Sequence, residues 1–301
     1  MATRMTPCLV AALAALCVAP VPTPAQDAHA DHAAPGPQAA AAAKPRDPNL
    51  PPGETDAKAA LETSPRHGEW VDVKRASGPA IRAYVVYPER KDKAPVVIVI
   101  HEIFGLSDWV RGVADQLAKE GFIAVAPDLI SGMGPNGGGS DAVPNRDDVV
   151  KLIRGLEPVE ADARLDAVRD YALKLPAAKG KSATIGFCWG GGRSFAYAAS
   201  HAALNAAVVY YGSAPEADAL AGLKVPVLGL YGGDDARITS TVEGTAAAVA
   251  KLGRRYEHEV YDGAGHGFLR DQAGRDGANA KATLQAWPRT LTFLKQELEG
   301  G

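Results

Sequence analysis

Five short runs in the chain are apolar almost throughout: "PVVIVI" (95–100), "FIAVAP" (122–127), "SATIGF" (182–187), "AAVVYYG" (206–212) and "VPVLGLYG" (225–232). A strand without polar alternation has no face to give to water, so each run is expected to be covered on both sides. Between them lie segments of helical period, "WVRGVADQLAKEG", "EADARLDAVRDYALKL", Gly191–Ser200 and Ser240–Leu252. Parallel neighbours need a crossover, and a helix is the usual one, so this alternation predicts a mostly parallel sheet with helices on both faces. Ahead of it, "EWVDVKR" (69–75) and "IRAYVVYP" (81–88) alternate apolar and polar residues, as half-exposed antiparallel strands do. "YEHEVYD" (256–262) reads as a late strand, and Gly277–Leu298 as a final helix that Pro288 bends or restarts. In such sheets chemistry gathers at the carboxyl ends of the strands.

The charge balance is close to neutral, with a formal net charge of −3, which gives no basic surface for nucleic acid. The N-terminus departs from the globular pattern. Arg4 precedes the apolar run Cys8–Ala19, which small residues and prolines follow, the pattern of a cleaved secretory signal over 1–25. The run is too short to span a bilayer, so no stable membrane insertion is expected after cleavage, and the mature protein is expected in the periplasm or outside the cell. Residues 26–64 are rich in Ala, Pro and Asp and read as a flexible tether, which leaves 65–301 as the folded domain. His29, Asp31 and His32 lie in that tether without the support a metal site needs, and no metal or other cofactor is expected. Cys8 and Cys17 leave with the signal. Cys188 is then the one cysteine of the mature chain and has no internal disulfide partner.

Gly186-Phe187-Cys188-Trp189-Gly190 has the glycine–x–nucleophile–x–glycine spacing of a sharp strand-to-helix turn, with cysteine at its apex. A helix N-terminus beyond the turn favours a thiolate, and the backbone N–H of Trp189 is expected to point where an oxyanion would form. A nucleophile needs a base, and the base an orienting carboxylate. Asp234 and Asp235 follow the strand "VPVLGLYG", and His266 follows "YEHEVYD" in a loop bracketed by glycines. The order nucleophile, acid, histidine is that of the α/β-hydrolases. Asp235 is the preferred acid and Asp234 the turn residue, though both fit the spacing. His101 and Glu102 end the first buried strand, where the N–H of Ile103 is a candidate second oxyanion donor. Glu102 there would hold the resting thiol protonated until substrate displaces it.

Together "HEIFGL", "GFCWGGG", "GGDD" and "AGHGF", in this order, resemble the dienelactone hydrolase family from about Gly68 onward. The resemblance implies a three-layer α/β-hydrolase sandwich, a triad of Cys188, Asp235 and His266, and Glu102 as a regulatory carboxylate. It also implies that Arg146 and Arg270 hold a carboxylate of the substrate, by charge-assisted hydrogen bonds. Two features depart from the family pattern: Val150 stands where a tyrosine is expected, and the export signal is unusual for an intracellular degradative enzyme. The glycine-rich loop Ser131–Asp141 lies beside that region, as a wall of the pocket or a lid. The leading expectation is a hydrolase of a small, carboxylate-bearing ester or lactone, working through a thioester. The alternatives are a broad carboxylesterase, a non-catalytic ligand-binding envelope protein on the same fold, and a redox-sensing thiol.

Overall fold

The computed structural model describes residues 1–2 and 46–300. The expected leader from residue 3 and the tether as far as 45 therefore lie outside the described residues. The chain divides into two units, and the second, Pro45–Gly301, contains every helix and strand described.

In chain order the elements are α1 (Ala57–Glu62), β1 (Gly68–Val73), β2 (Ile81–Val86), β3 (Ala94–Ile100), α2 (Asp108–Lys119), β4 (Ile123–Pro127), α3 (Arg146–Arg154) and α4 (Pro158–Leu173). They continue with β5 (Ala178–Phe187), α5 (Trp189–Ser200), β6 (Ala206–Tyr210), α6 (Ala217–Leu220), β7 (Val227–Gly232), α7 (Ala236–Lys251), β8 (Tyr256–Tyr261) and α8 (Ala278–Glu299). The strands form one sheet in the order β1-β2-β4-β3-β5-β6-β7-β8. Pairing is antiparallel between β1 and β2 and between β2 and β4, and parallel from β4 to β8.

The apolar runs are continuous because successive residues serve different cores. Along β3, Val97 and Val99 pack with Trp109 of α2 and Trp287 and Phe293 of α8. Val96, Ile98 and Ile100 of the same strand pack with Leu165 and Val168 of α4 and Phe195 of α5 on the other face. This is the period of two that a strand imposes, with both faces dry. Each such aliphatic side chain contributes roughly 1.5–3 kcal/mol by leaving water. The result is the three-layer α/β sandwich expected from the sequence.

Three expectations are corrected. Residues 46–64 are not a tether: Leu50 and Ala57 enter the core, and α1 lies against α2. The segment has few large side chains, but Pro52 nests against Gly112, where a Cβ would come within 2.6 Å of the proline ring. Small residues packed into a matching groove escape a reading based on composition. Next, Pro288 does not restart the last helix, because α8 runs unbroken through it. The carbonyl that loses its donor belongs to Leu284, whose side chain is exposed, and water can take the bond. The glycine-rich loop is also pinned and does not form a free lid. The Asp128 carboxylate accepts from the backbone N–H of Ser140 at 2.6 Å and from its hydroxyl at 2.8 Å. Arg164 donates to the carbonyls of Leu129 and Ser131.

Candidate active site

Cys188 sits between β5 and α5 with φ 55° and ψ −116°, a left-handed conformation that costs a residue with a Cβ on the order of 1–3 kcal/mol. The turn persists because two glycines allow backbone to touch backbone. A Cβ on Gly186 would stand 1.9 Å from the Gly190 carbonyl oxygen, and one on Gly190 would stand 2.3 Å from that of His101. The strand end is held by the Cys188 N–H, which donates to the Tyr210 carbonyl at 3.0 Å.

The N–H groups of Trp189 and Ile103 are both directed at the Cys188 sulfur and favour its ionised form, as does the charge of Arg237. Burial and the neighbouring Glu102 outweigh them, and the thiol pKa is pushed up. His101 fixes the loop that carries Ile103. Its Nε2 accepts from the Leu129 N–H at 3.1 Å, so the proton is on Nδ1, which donates to the Glu102 carbonyl at 2.8 Å. The ring is fully buried, which lowers its pKa and suits this neutral form, and it stacks on Trp189.

Asp235 and Asp234 leave the end of β7 in different directions. The buried Asp235 carboxylate accepts a hydrogen bond from His266 Nδ1 at 2.5 Å, while Asp234 is exposed and pairs with Arg275 at 3.0 Å. His266 is 32% exposed on its side chain, and its ring lies edge-on to Tyr211 at 5.1 Å. The structure therefore joins Asp235 to His266 and brings the N–H groups of Trp189 and Ile103 to Cys188, with no hydrogen bond between the thiol and His266 among the described residues.

Glu102 is 2% exposed, and its pKa is raised to about 7. Burial drives the rise, opposed by Arg270 and Tyr211 and assisted by Glu54. Arg270 Nε lies 2.7 Å from Glu102, in ion-pair contact but off the direction of a hydrogen bond. Arg146 and Arg270 come together as expected, both over the Phe104 ring at 3.5 and 5.4 Å. Both also face a carboxylate of the protein itself. Arg270 Nη1 donates to one oxygen of Glu54, and Arg146 Nη2 lies 3.5 Å from the other. Glu54 thus lies between the two arginines expected to hold a substrate carboxylate, a contact that sequence reasoning missed by assigning residue 54 to the tether.

A cavity of about 540 Å³ opens on the sulfur, lined by Ile103, Arg154, Cys188, Trp189, Tyr211, Ser213, Arg237 and Ile238. Tyr211, Arg154 and Arg237 were also missed. Tyr211 has φ 41° and a buried hydroxyl turned toward Glu102, features that no sequence pattern announces. A depression of about 570 Å³ elsewhere, beside Arg75 and Tyr171, is lined by no cysteine or histidine.

Comparison with known proteins adds an independent line. The model of the dienelactone hydrolase family matches residues 81–298. A Salmonella typhimurium protein named "Putative carboxymethylenebutenolidase" is 34% identical over 238 residues, spanning 73% of this chain and 84% of that protein. A Saccharolobus solfataricus protein of the same name is 32% identical over 251 residues, spanning 73% of this chain and 96% of its own. The crystal structure of a "Putative Dienelactone Hydrolase" from Klebsiella pneumoniae superposes with a TM-score of 0.68 at 30% identity, covering 77% of this chain and 99% of that one.

Proposed function

The chain belongs to the dienelactone hydrolase family and is a hydrolase of that type, and from that premise we propose that it cleaves small esters or lactones through Cys188, His266 and Asp235. The observation that carries this reading is the strained Cys188 at the start of α5, beside backbone N–H groups of Trp189 and Ile103 that favour its ionised form.

At rest the thiol is protonated, since burial and Glu102 both oppose the thiolate. Substrate entering the cavity displaces that restraint, and His266 Nε2 takes the thiol proton while Asp235 holds Nδ1 and balances the imidazolium. The thiolate attacks the acyl carbon, and the negative oxygen of the tetrahedral intermediate falls to the N–H groups of Trp189 and Ile103. The acyl C–O bond breaks, His266 returns the proton to the departing oxygen, and a thioester remains on Cys188. Water then gives its proton to His266, attacks the thioester and releases the acid, and the proton goes back to the sulfur. For a lactone, the alcohol and the acid are two ends of one product. The leader-like N-terminus supports a periplasmic or secreted location for this activity, which N-terminal sequencing of the exported protein would test.

The test is turnover of a panel of aryl esters and lactones by the purified chain and by Cys188→Ala. The variant is expected to lose at least about a thousandfold in kcat, as removal of a covalent nucleophile does. Equal rates in the two proteins would overturn the reading.

A further inference from the structure

The cluster around Phe104 brings together two guanidiniums and two carboxylates. Each oxygen of Glu54 faces a different arginine, Oε2 receiving Arg270 Nη1 and Oε1 facing Arg146 Nη2 at 3.5 Å. One carboxylate shared between two guanidiniums is the arrangement that a substrate carboxylate would have to adopt there. We propose that Glu54 is a built-in occupant of the Arg146–Arg270 pair and closes it to substrate carboxylates, so that this hydrolase does not use the pair to select an anionic acyl group. The proposal rests on the reading of the chain as an ester or lactone hydrolase and narrows its substrate class.

Three further observations support it. The arginines already have two carboxylates beside them, because Arg270 also faces the buried Glu102 at 2.7 Å. A third carboxylate would have to enter beside both, one of them removed from water. The segment bearing Glu54 is also fastened on both sides. Its backbone N–H donates to the Arg270 carbonyl at 2.9 Å, Gln272 donates to the Pro51 carbonyl at 3.0 Å, and Lys119 donates to the Pro48 carbonyl at 2.6 Å. Leu50 and Ala57 anchor it in the core to either side. An intramolecular carboxylate held in this way competes at an effective concentration in the millimolar range or above, which a dilute substrate does not match. Finally, neither Arg146 nor Arg270 is among the residues lining the cavity at the sulfur.

The experiment compares two substrates of the same length, the mono-4-nitrophenyl ester of adipic acid and its terminal carboxamide, and reads the acid-to-amide ratio of kcat/KM. Any change that Glu54 makes at Glu102 affects both substrates, so the ratio isolates the anion subsite. Glu54→Gln keeps shape at a position 43% exposed and is expected to fold. It should raise the ratio about tenfold or more, the effect of a new charge-assisted pair, and Arg146→Ala added to it should cancel the gain. In the parent protein Arg146→Ala should change the ratio by less than about twofold. A Glu54→Gln ratio equal to that of the parent would overturn the proposal. So would a large drop on Arg146→Ala alone, which would mean that substrate displaces Glu54. Calorimetric titration of adipate into Cys188→Ala, with and without Glu54→Gln, needs no turnover. Tighter binding only in the double variant supports the proposal even if no ester is hydrolysed, and equal binding overturns it independently of the hydrolase reading.

Discussion

Around Cys188 the groups that favour the ionised sulfur are chiefly backbone N–H groups, on a turn set by glycines whose carbonyl neighbours leave no room for a side chain. Around Arg270 the acting groups are side chains from separate stretches: Glu54 before α1, Glu102 after β3, Arg146 at the start of α3 and Arg270 after β8. The first region holds its geometry by steric exclusion. The second holds it by charge pairing near water, since the side chains of Arg146 and Glu54 are 53% and 43% exposed. Exposed ion pairs contribute about 0–1 kcal/mol each, so the second region can be rewritten by substitution while the first cannot.

Gly190→Ala tests this difference at its largest. The new methyl would stand 2.3 Å from the His101 carbonyl oxygen and 2.5 Å from that of Ile100, and both are backbone atoms with nowhere to move. We expect a loss of about 3 kcal/mol or more in urea unfolding, with activity falling as the loop carrying the Ile103 N–H is displaced. Arg146→Ala should cost less than about 1 kcal/mol in the same measurement. Similar losses for the two would erase the distinction between the regions. The next effect in size is at Asp235. Asp235→Asn can no longer balance the imidazolium on His266, and kcat should fall about a hundredfold to ten-thousandfold. Asp234→Asn changes only an exposed pair with Arg275 and should stay within about twofold, which steady-state kinetics on one ester can decide.

The two regions also differ in how legible they are in the sequence. The Cys188 turn is a local pattern: strand, glycine, nucleophile, glycine and helix are contiguous, and His266 and the Asp234–Asp235 pair each lie at the end of an apolar or alternating run. Spacing alone left those two aspartates open. Only the fold turns Asp235 inward onto His266 and Asp234 outward. Glu54 was illegible for a different reason. It meets Arg270 across 216 positions of chain, from a segment whose alanines and prolines resemble a linker until Gly112 is seen to receive Pro52. Composition reports how much apolar surface a segment owns, not whether a groove elsewhere fits it. Tyr211 was lost to the apolar strand it ends, because a buried hydroxyl facing a carboxylate has no signature in one sequence.

Glu102 joins the two regions, and its titration gives the most delicate test. Burial raises its pKa to about 7, from an ordinary value of 4.5. The folded protein therefore binds that proton more tightly than the unfolded chain. The stabilisation is fully present below about pH 4.5 and is lost as pH rises through about 7, on the order of 3 kcal/mol at most. Glu102→Gln carries no such proton, so its urea midpoint should fall less between pH 5 and 8 than that of the parent protein. The same charge raises the Cys188 pKa, second only to burial. Removing it should speed alkylation of the thiol by iodoacetamide at pH 8 by about threefold or more, since the thiolate is the reacting form. Glu54→Gln acts on Glu102 from the other side: loss of its charge lets Arg270 draw the Glu102 pKa down, and the decline in stability should move to lower pH. If alkylation and the pH profile of stability are both unchanged in Glu102→Gln, the carboxylate does not couple the ion-pair cluster to the thiol, and the two regions work independently.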